Sequence, residues 1–181
     1  MGMIKNILFK IKCSRNPIKM ARKIGVKVGD QCSFVSMPNF GSEPYLVEIG
    51  NHVRIASGVT FLTHDGATWV FREQEAYKRV IRFGRIVVGN NCFIGYHSII
   101  MPNVKIGDNC IIAAGAIVTK DVPEGSVVGG VPARVITTVK EYADKCMVET
   151  PDYDDKLLKY NKRKELERLY VEQGETNDSK I

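Results

Sequence analysis

Residues 86–118 read IVVGNNCFIGYHSIIMPNVKIGDNCIIAAGAIV, and within them a bulky aliphatic residue returns at every sixth position: Val88, Ile94, Ile100, Ile106, Ile112 and Val118. A smaller set follows four residues behind, at Cys92, Ser98, Val104, Cys110, Ala116 and Val122. Toward the N-terminus the same phase reappears at Ile49, Ile55 and Phe61, with Val53 and Val59 in the small set. Neither strand alternation nor the 3.6-residue helical period produces this pattern. A repeated six-residue unit does, because it supplies one short strand with a bulky inward residue and a small inward residue beside the corner into the next strand. Gly50, Gly89, Gly95 and Gly107 directly follow four of the large positions, where a turn without room for a side chain wants glycine. Coils of such units stack and bury a continuous core, which predicts a mainly β, parallel solenoid.

The repeat covers residues 24 to about 136 and is interrupted once. Phe61 and Val88 stand 27 positions apart, which is not a multiple of six, so a loop leaves the coil within about 62–86. That loop carries the single Trp of the chain, and a long excursion from a repetitive scaffold is usually functional. A smaller irregularity, Asn39 to Tyr45, precedes the first clean hexad. Residues 1–23 read as a basic helical segment, and 137–181 as a C-terminal extension with helices over about 137–150 and 153–173 and a polar tail.

The 181 residues fit one domain with terminal elements, and 44% hydrophobic with 25% charged residues is ordinary for a globular chain. No apolar run approaches the roughly 20 residues a membrane span needs. No A-x-A-like cleavage site follows the short apolar patch near the N-terminus, so a cytoplasmic protein is expected. The net charge of +6 is concentrated in the first 27 residues, which reads as a solvated helix rather than a nucleic-acid surface. Peripheral contact of that basic segment with an anionic membrane stays open. Five cysteines without CxxC spacing argue against a disulfide framework and a zinc site, and no metal is expected. Cys92 and Cys110 fall in the small inward slot and read as core fillers, while Cys13, Cys32 and Cys146 have no base nearby in sequence.

All three histidines share one phase, three residues after a large position: His52 after Ile49, His64 after Phe61, His97 after Ile94. This phase points outward near a corner, so none is a core histidine. His64 stands where the loop starts, and an imidazole there could take the proton of an attacking alcohol. Asp65 either orients that ring or only turns the chain with Gly66. Glu43 lies in the smaller irregularity, and Trp69 and Tyr77 lie in the loop.

On these residues the chain resembles the hexapeptide-repeat acyltransferases, whose fold is a left-handed parallel β-helix with about three hexads per turn. Thr63-His64-Asp65-Gly66, the inserted loop, and Ile86 to Gly95 are similar to the xenobiotic and polysaccharide acetyltransferases, in which a His before the loop is the general base. Ile94-Gly95-Tyr96-His97 is similar to the galactoside and maltose acetyltransferases, in which that His is the base. Both candidates are carried, with His64 favoured by its longer matching context and His97 as its helper. The stretch from Ile106 to Pro123, with Gly129 to Ile136, resembles an acetyl-CoA site. The resemblance implies that Ala114, Thr119 and Lys120 line a pantetheine channel, that Lys120 and Arg134 reach the phosphates, and that the enzyme is a homotrimer. It implies acetyl transfer from acetyl-CoA to a saccharide hydroxyl in surface-polysaccharide assembly, with acceptor contacts from the loop and the coil opposite it, for which Glu43, Trp69 and Tyr77 are the candidates. Alternatives are an amino group of a nucleotide-linked sugar, an antibiotic, or a non-catalytic scaffold.

Overall fold

The computed structural model describes residues 16–172; residues 1–15, holding most of the expected basic segment, and 173–181 lie outside the described residues. Helix Pro17–Lys23 begins at Asn16, whose side chain accepts the Lys19 amide, with proline in the first turn where its missing N–H costs nothing. It buries Ala21 and Met20, and Ala21 joins the solenoid core, so the helix covers the first coil.

Twelve short parallel strands follow. They are β1 (Lys27–Val28), β2 (Ser33–Phe34), β3 (Val47–Ile49), β4 (Arg54–Ile55), β5 (Thr60–Phe61), β6 (Ile86–Val88), β7 (Phe93–Ile94), β8 (Ile99–Ile100), β9 (Lys105–Ile106), β10 (Ile111–Ile112), β11 (Ile117–Val118) and β12 (Ser126–Gly130). A last strand, β13 (Ala133–Thr138), reverses and pairs antiparallel with β12. The strands form three sheets, ordered β1-β3-β6-β9, β2-β4-β7-β10-β12-β13 and β5-β8-β11, which are the three sides of the solenoid. Large residues stand over one another through the coils: Val28, Ile49, Val88 and Ile106 on the first side, Phe34, Ile55, Ile94, Ile112 and Val128 on the second. On the third, Phe61, Ile100 and Val118 are in register, and the Phe40 ring stacks on Phe61 at 5.2 Å.

The six-residue reading is borne out, since every large position from Ile49 to Val118 is buried. Burying each such isoleucine contributes roughly 1.5–3 kcal/mol, so the column is the main source of cohesion. The corner glycines follow from close approach: a side-chain carbon on Gly89 would meet Asp108 Oδ1 at 2.3 Å, and one on Gly95 the carbonyl oxygen of Ile112 at 2.5 Å. Corner residues three after a large position take left-handed backbone, at Gln31, His52, Asn91, His97, Asn103 and Asn109 with φ between 52° and 64°. Asn tolerates that region because its short amide bonds locally. His52 is a structural member of this set: its Nδ1 lies 2.7 Å from Asn91 Oδ1, and Asn91 donates onward to Asn109 at 2.8 Å.

The sequence reading is corrected at one position and extended at others. Val122 pairs in register with Ile106, so it belongs to the large column, because the last coil is cut short after Val118. Cys32, left without a partner by the sequence, falls in the column of Cys92 and Cys110; the three thiols donate to the carbonyls of Gly50, Gly107 and Pro123 at 3.1, 3.2 and 3.1 Å. Strand structure persists to Thr138, past the expected boundary at 136. Helix Val139–Glu149 then begins at a capping box, in which the Thr138 hydroxyl accepts the Glu141 amide and Glu141 accepts the Thr138 amide.

The chain divides into two compact units after Tyr142. In the second, the expected single helix over 153–173 is two, Asp155–Tyr160 and Lys162–Tyr170, because Asn161 leaves helical geometry and caps the second. Glu165, fully buried there, accepts the Asp154 amide at 2.8 Å and pairs with Arg168.

Candidate active site

Coil length locates the site. From Val88 to Ile106 one turn takes 18 residues; from Val28 to Ile49 it takes 21, and from Ile49 to Val88 it takes 39. Both excesses fall at the corner between the third and first sides, one coil apart, as segments 41–46 and 63–85. Glu43 follows Phe40 by three residues as His64 follows Phe61, and the stacked phenylalanines set the two corners over each other. Glu43 Oε2 lies 2.9 Å from His64 Nδ1 and accepts the Thr63 hydroxyl at 2.8 Å. The Glu43 side chain is 15% exposed and that of His64 43%, so the imidazole reaches solvent while its partner is mostly covered. Hydrogen bonds from Ser42, then Thr63 and His64, hold the Glu43 carboxyl below the usual carboxylate range.

The loop is pinned at its base. His64 bridges Phe83 in antiparallel fashion, the Asp65 amide donates to the Arg82 carbonyl at 2.9 Å, and the Gly84 amide donates to Thr63 at 2.8 Å. The Phe83 ring lies 5.8 Å from the imidazole, tilted by 51°, and forms an apolar wall beside it. Asp65 does not orient the ring. Its Oδ1 accepts the Ala67 amide at 2.9 Å, capping the short helical turn Gly66–Val70, and its Oδ2 faces Arg82 at 3.5 Å. The carboxylate hydrogen-bonded to the ring is that of Glu43, read from the sequence as a candidate acceptor contact. Trp69 stands 79% exposed, and Tyr77 packs edge-on against Phe71 at 5.6 Å.

His97 occupies the other corner of the third side, so strand β5 and its neighbours lie between the two histidines and one chain does not bring them together. A side-chain carbon on Gly58 would be 2.6 Å from the His97 ring, so the imidazole rests on the backbone of the coil below. Tyr96 stands edge-on to it at 4.0 Å. Ala114 is exposed at this same corner, one coil further on, beside Gly115.

Lys120 and Arg134 line a common hollow of about 200 Å³ with Asp121, Pro123, Ala133 and Val135. It exists because the shortened last coil and the reversal into β13 bring residues 120 and 134 to one place. Thr119 is exposed next to Lys120 but outside the lining, as is Ala114. A larger open groove of about 850 Å³ runs along the first side, with Lys27, Glu48, Asn90 and Lys105 among its mixed polar and apolar lining, and holds neither His64 nor His97. Among the described residues no three His, Cys, Asp or Glu side chains converge as a metal site, and no helix is long and apolar enough to cross a membrane.

Phe83 and Gly58 carry no signal in the repeat, and the Thr63-His64-Asp65-Gly66 segment does not reveal that Thr63 holds Glu43. The phase shared by Glu43 and His64 was the available signal, and comparing coils rather than neighbours would have found it.

Residues 85–120 match the family described as bacterial transferase hexapeptide (six repeats). The chain is 52% identical over 145 residues to protein CapG of Staphylococcus aureus, covering 79% of this chain and 82% of CapG. It is 44% identical over 99 residues to the galactoside O-acetyltransferase of Escherichia coli (strain K12), covering 55% of this chain and only 47% of that enzyme. The crystal structure of the hexapeptide-repeat containing acetyltransferase VCA0836 from Vibrio cholerae O1 biovar eltor, complexed with acetyl coenzyme A, superposes with a TM-score of 0.53 at 27% identity. That match covers 63% of this chain and 60% of the other.

Proposed function

The chain belongs to the bacterial hexapeptide-repeat acetyltransferases and folds as their left-handed parallel β-helix, and from that premise we propose that it transfers an acetyl group from acetyl-CoA to a saccharide hydroxyl in cytoplasmic steps of surface-polysaccharide assembly. The observation that carries this reading is His64, a half-exposed imidazole at the root of the long loop with an aromatic wall beside it. A flat apolar wall next to a general base suits the C–H face of a sugar ring. Nε2 of His64 takes the proton of the acceptor hydroxyl as its oxygen attacks the thioester carbonyl, the C–S bond breaks, and the proton passes to the departing sulfur. Lys120 and Arg134 supply positive charge for the donor's phosphates.

The enzyme works as a homotrimer in this reading. Ile99 and Ile117 face outward on the third side, between the His64 and His97 corners, and a second copy against that side would cover them and bring one chain's His97 toward another's His64. A second reading makes His97 the base. It is favoured by the ring's fixed seat on Gly58 and by the likeness to the galactoside enzyme. Turnover of His64→Ala and His97→Ala, both shown to be folded and to bind coenzyme A, decides between them. Loss of about 100- to 10,000-fold in His64→Ala with a milder defect in His97→Ala is expected, and the reverse pattern transfers the role to His97.

A further inference from the structure

We propose that Glu43 is a positioning residue for the reaction: it holds His64 with Nδ1 as hydrogen-bond donor, so that Nε2 is presented as the proton acceptor. The proposal rests on the reading of His64 as the base. An ionised carboxylate can only accept, so the 2.9 Å contact between Glu43 Oε2 and His64 Nδ1 places the proton of the neutral imidazole on Nδ1 and the lone pair on Nε2. Glu43 is itself fixed. The same oxygen accepts the hydroxyl of Thr63, which is buried at 1% exposure and lies in the backbone of the coil above. Its carboxyl is held below the usual range by Ser42, Thr63 and His64, so it is charged wherever the enzyme would work.

The neighbouring carboxylate at this corner is already engaged. Asp65 is committed to the Ala67 amide and to Arg82, on the returning limb of the loop. Glu43 is therefore the carboxylate that reaches the ring. When Nε2 takes the acceptor's proton, the ring becomes a cation next to that carboxylate, and the attraction strengthens as the O–C bond forms and the C–S bond of the thioester breaks. Delivery of the proton to the leaving sulfur returns the imidazole to its starting tautomer, and no further reactant is needed.

The test compares Glu43→Gln, Glu43→Leu and Thr63→Val in the full chain with His64→Ala. Steady-state kinetics are measured with acetyl-CoA and an acetyl acceptor, and ¹⁵N spectra of labelled histidine report the tautomers; with only three histidines, assignment by single substitution is direct. The expected result is a fall in kcat of at least ~10-fold in both Glu43 variants, short of the roughly 10²–10⁴-fold lost with the base itself, with the KM for acetyl-CoA unchanged. His64 in Glu43→Leu should lose its single Nδ1–H tautomer, and Thr63→Val should show a weaker effect of the same kind. Should Glu43→Leu not fold, Glu43→Gln and Thr63→Val carry the same comparison. If His64→Ala is inactive while the Glu43 variants keep wild-type kcat and the wild-type tautomer, the role of Glu43 is refuted and the base stands. If His64→Ala is fully active, the reading of the base fails and this proposal falls with it.

Discussion

Gly58 and His97 are in contact across two coils: a single carbon added to Gly58 would stand 2.6 Å from the imidazole. Gly58 also adopts φ +75°, a conformation that side chains rarely take. Both constraints act on the same atom, so this position accepts nothing larger than glycine. Gly58→Ala is expected to cost about 1–3 kcal/mol from backbone strain alone and to push the His97 ring off its seat. Calorimetry should show a midpoint lowered by roughly 2–10 °C, part of it recovered when His97→Ala removes the ring.

The core column makes a harsher prediction. Ile106 is fully buried and stands in register between Val88 and Val122 in the apolar core. Ile106→Asp places a carboxylate there without a partner, at a cost of several kcal/mol, and should abolish the cooperative unfolding transition. Wild-type melting behaviour in that variant would contradict the stacking register.

Lys120 and Arg134 sit in one hollow, and each is expected to lend charge to the phosphates of the donor. Replacing either with Ala should raise the KM for acetyl-CoA several-fold while leaving that for the acceptor nearly unchanged, since uniform binding lost on the donor side shows there. Because the two share a site, the double variant should fall short of the product of the single effects. Initial-rate measurements with each substrate varied in turn provide the check.

Acid should loosen the C-terminal helices. Glu141 is pushed down to about 2 by hydrogen bonds from Thr137 and Thr138, and Glu165 to about 2 by Arg168 and the Asp154 amide, both from an ordinary value of 4.5. A depressed carboxyl contributes stability that is fully present above its unfolded-state value and is lost as the pH falls through its folded-state value. Hydrogen exchange at the Thr138 and Asp154 amides should therefore accelerate as the pH falls from about 4.5 toward 2, after correction for intrinsic exchange. Glu141→Gln and Glu165→Gln should flatten that dependence, each at its own amide.

The six-residue period by itself determined the solenoid, its inward residues and the place where the loop leaves. It could do so because a hexad's burial is a local property: the large residue faces inward and the small one follows at the corner whatever the other coils do, as Ile94, Ser98 and Ile100 show. The outward exposure of His64 and His97 came from the same phase. Only the tertiary structure decided which groups meet between coils. Glu43 is 21 positions from His64 and Asp65 is adjacent to it, yet Glu43 makes the contact, because the stack of Phe40 on Phe61 sets their two corners over each other while Asp65 turns to cap its own helical turn. Val122 changed columns, and Lys120 came to share a hollow with Arg134, because the last coil is shortened and the chain then reverses. Contacts between coils depend on how many residues every earlier corner consumes, a sum over the whole path that no local pattern carries.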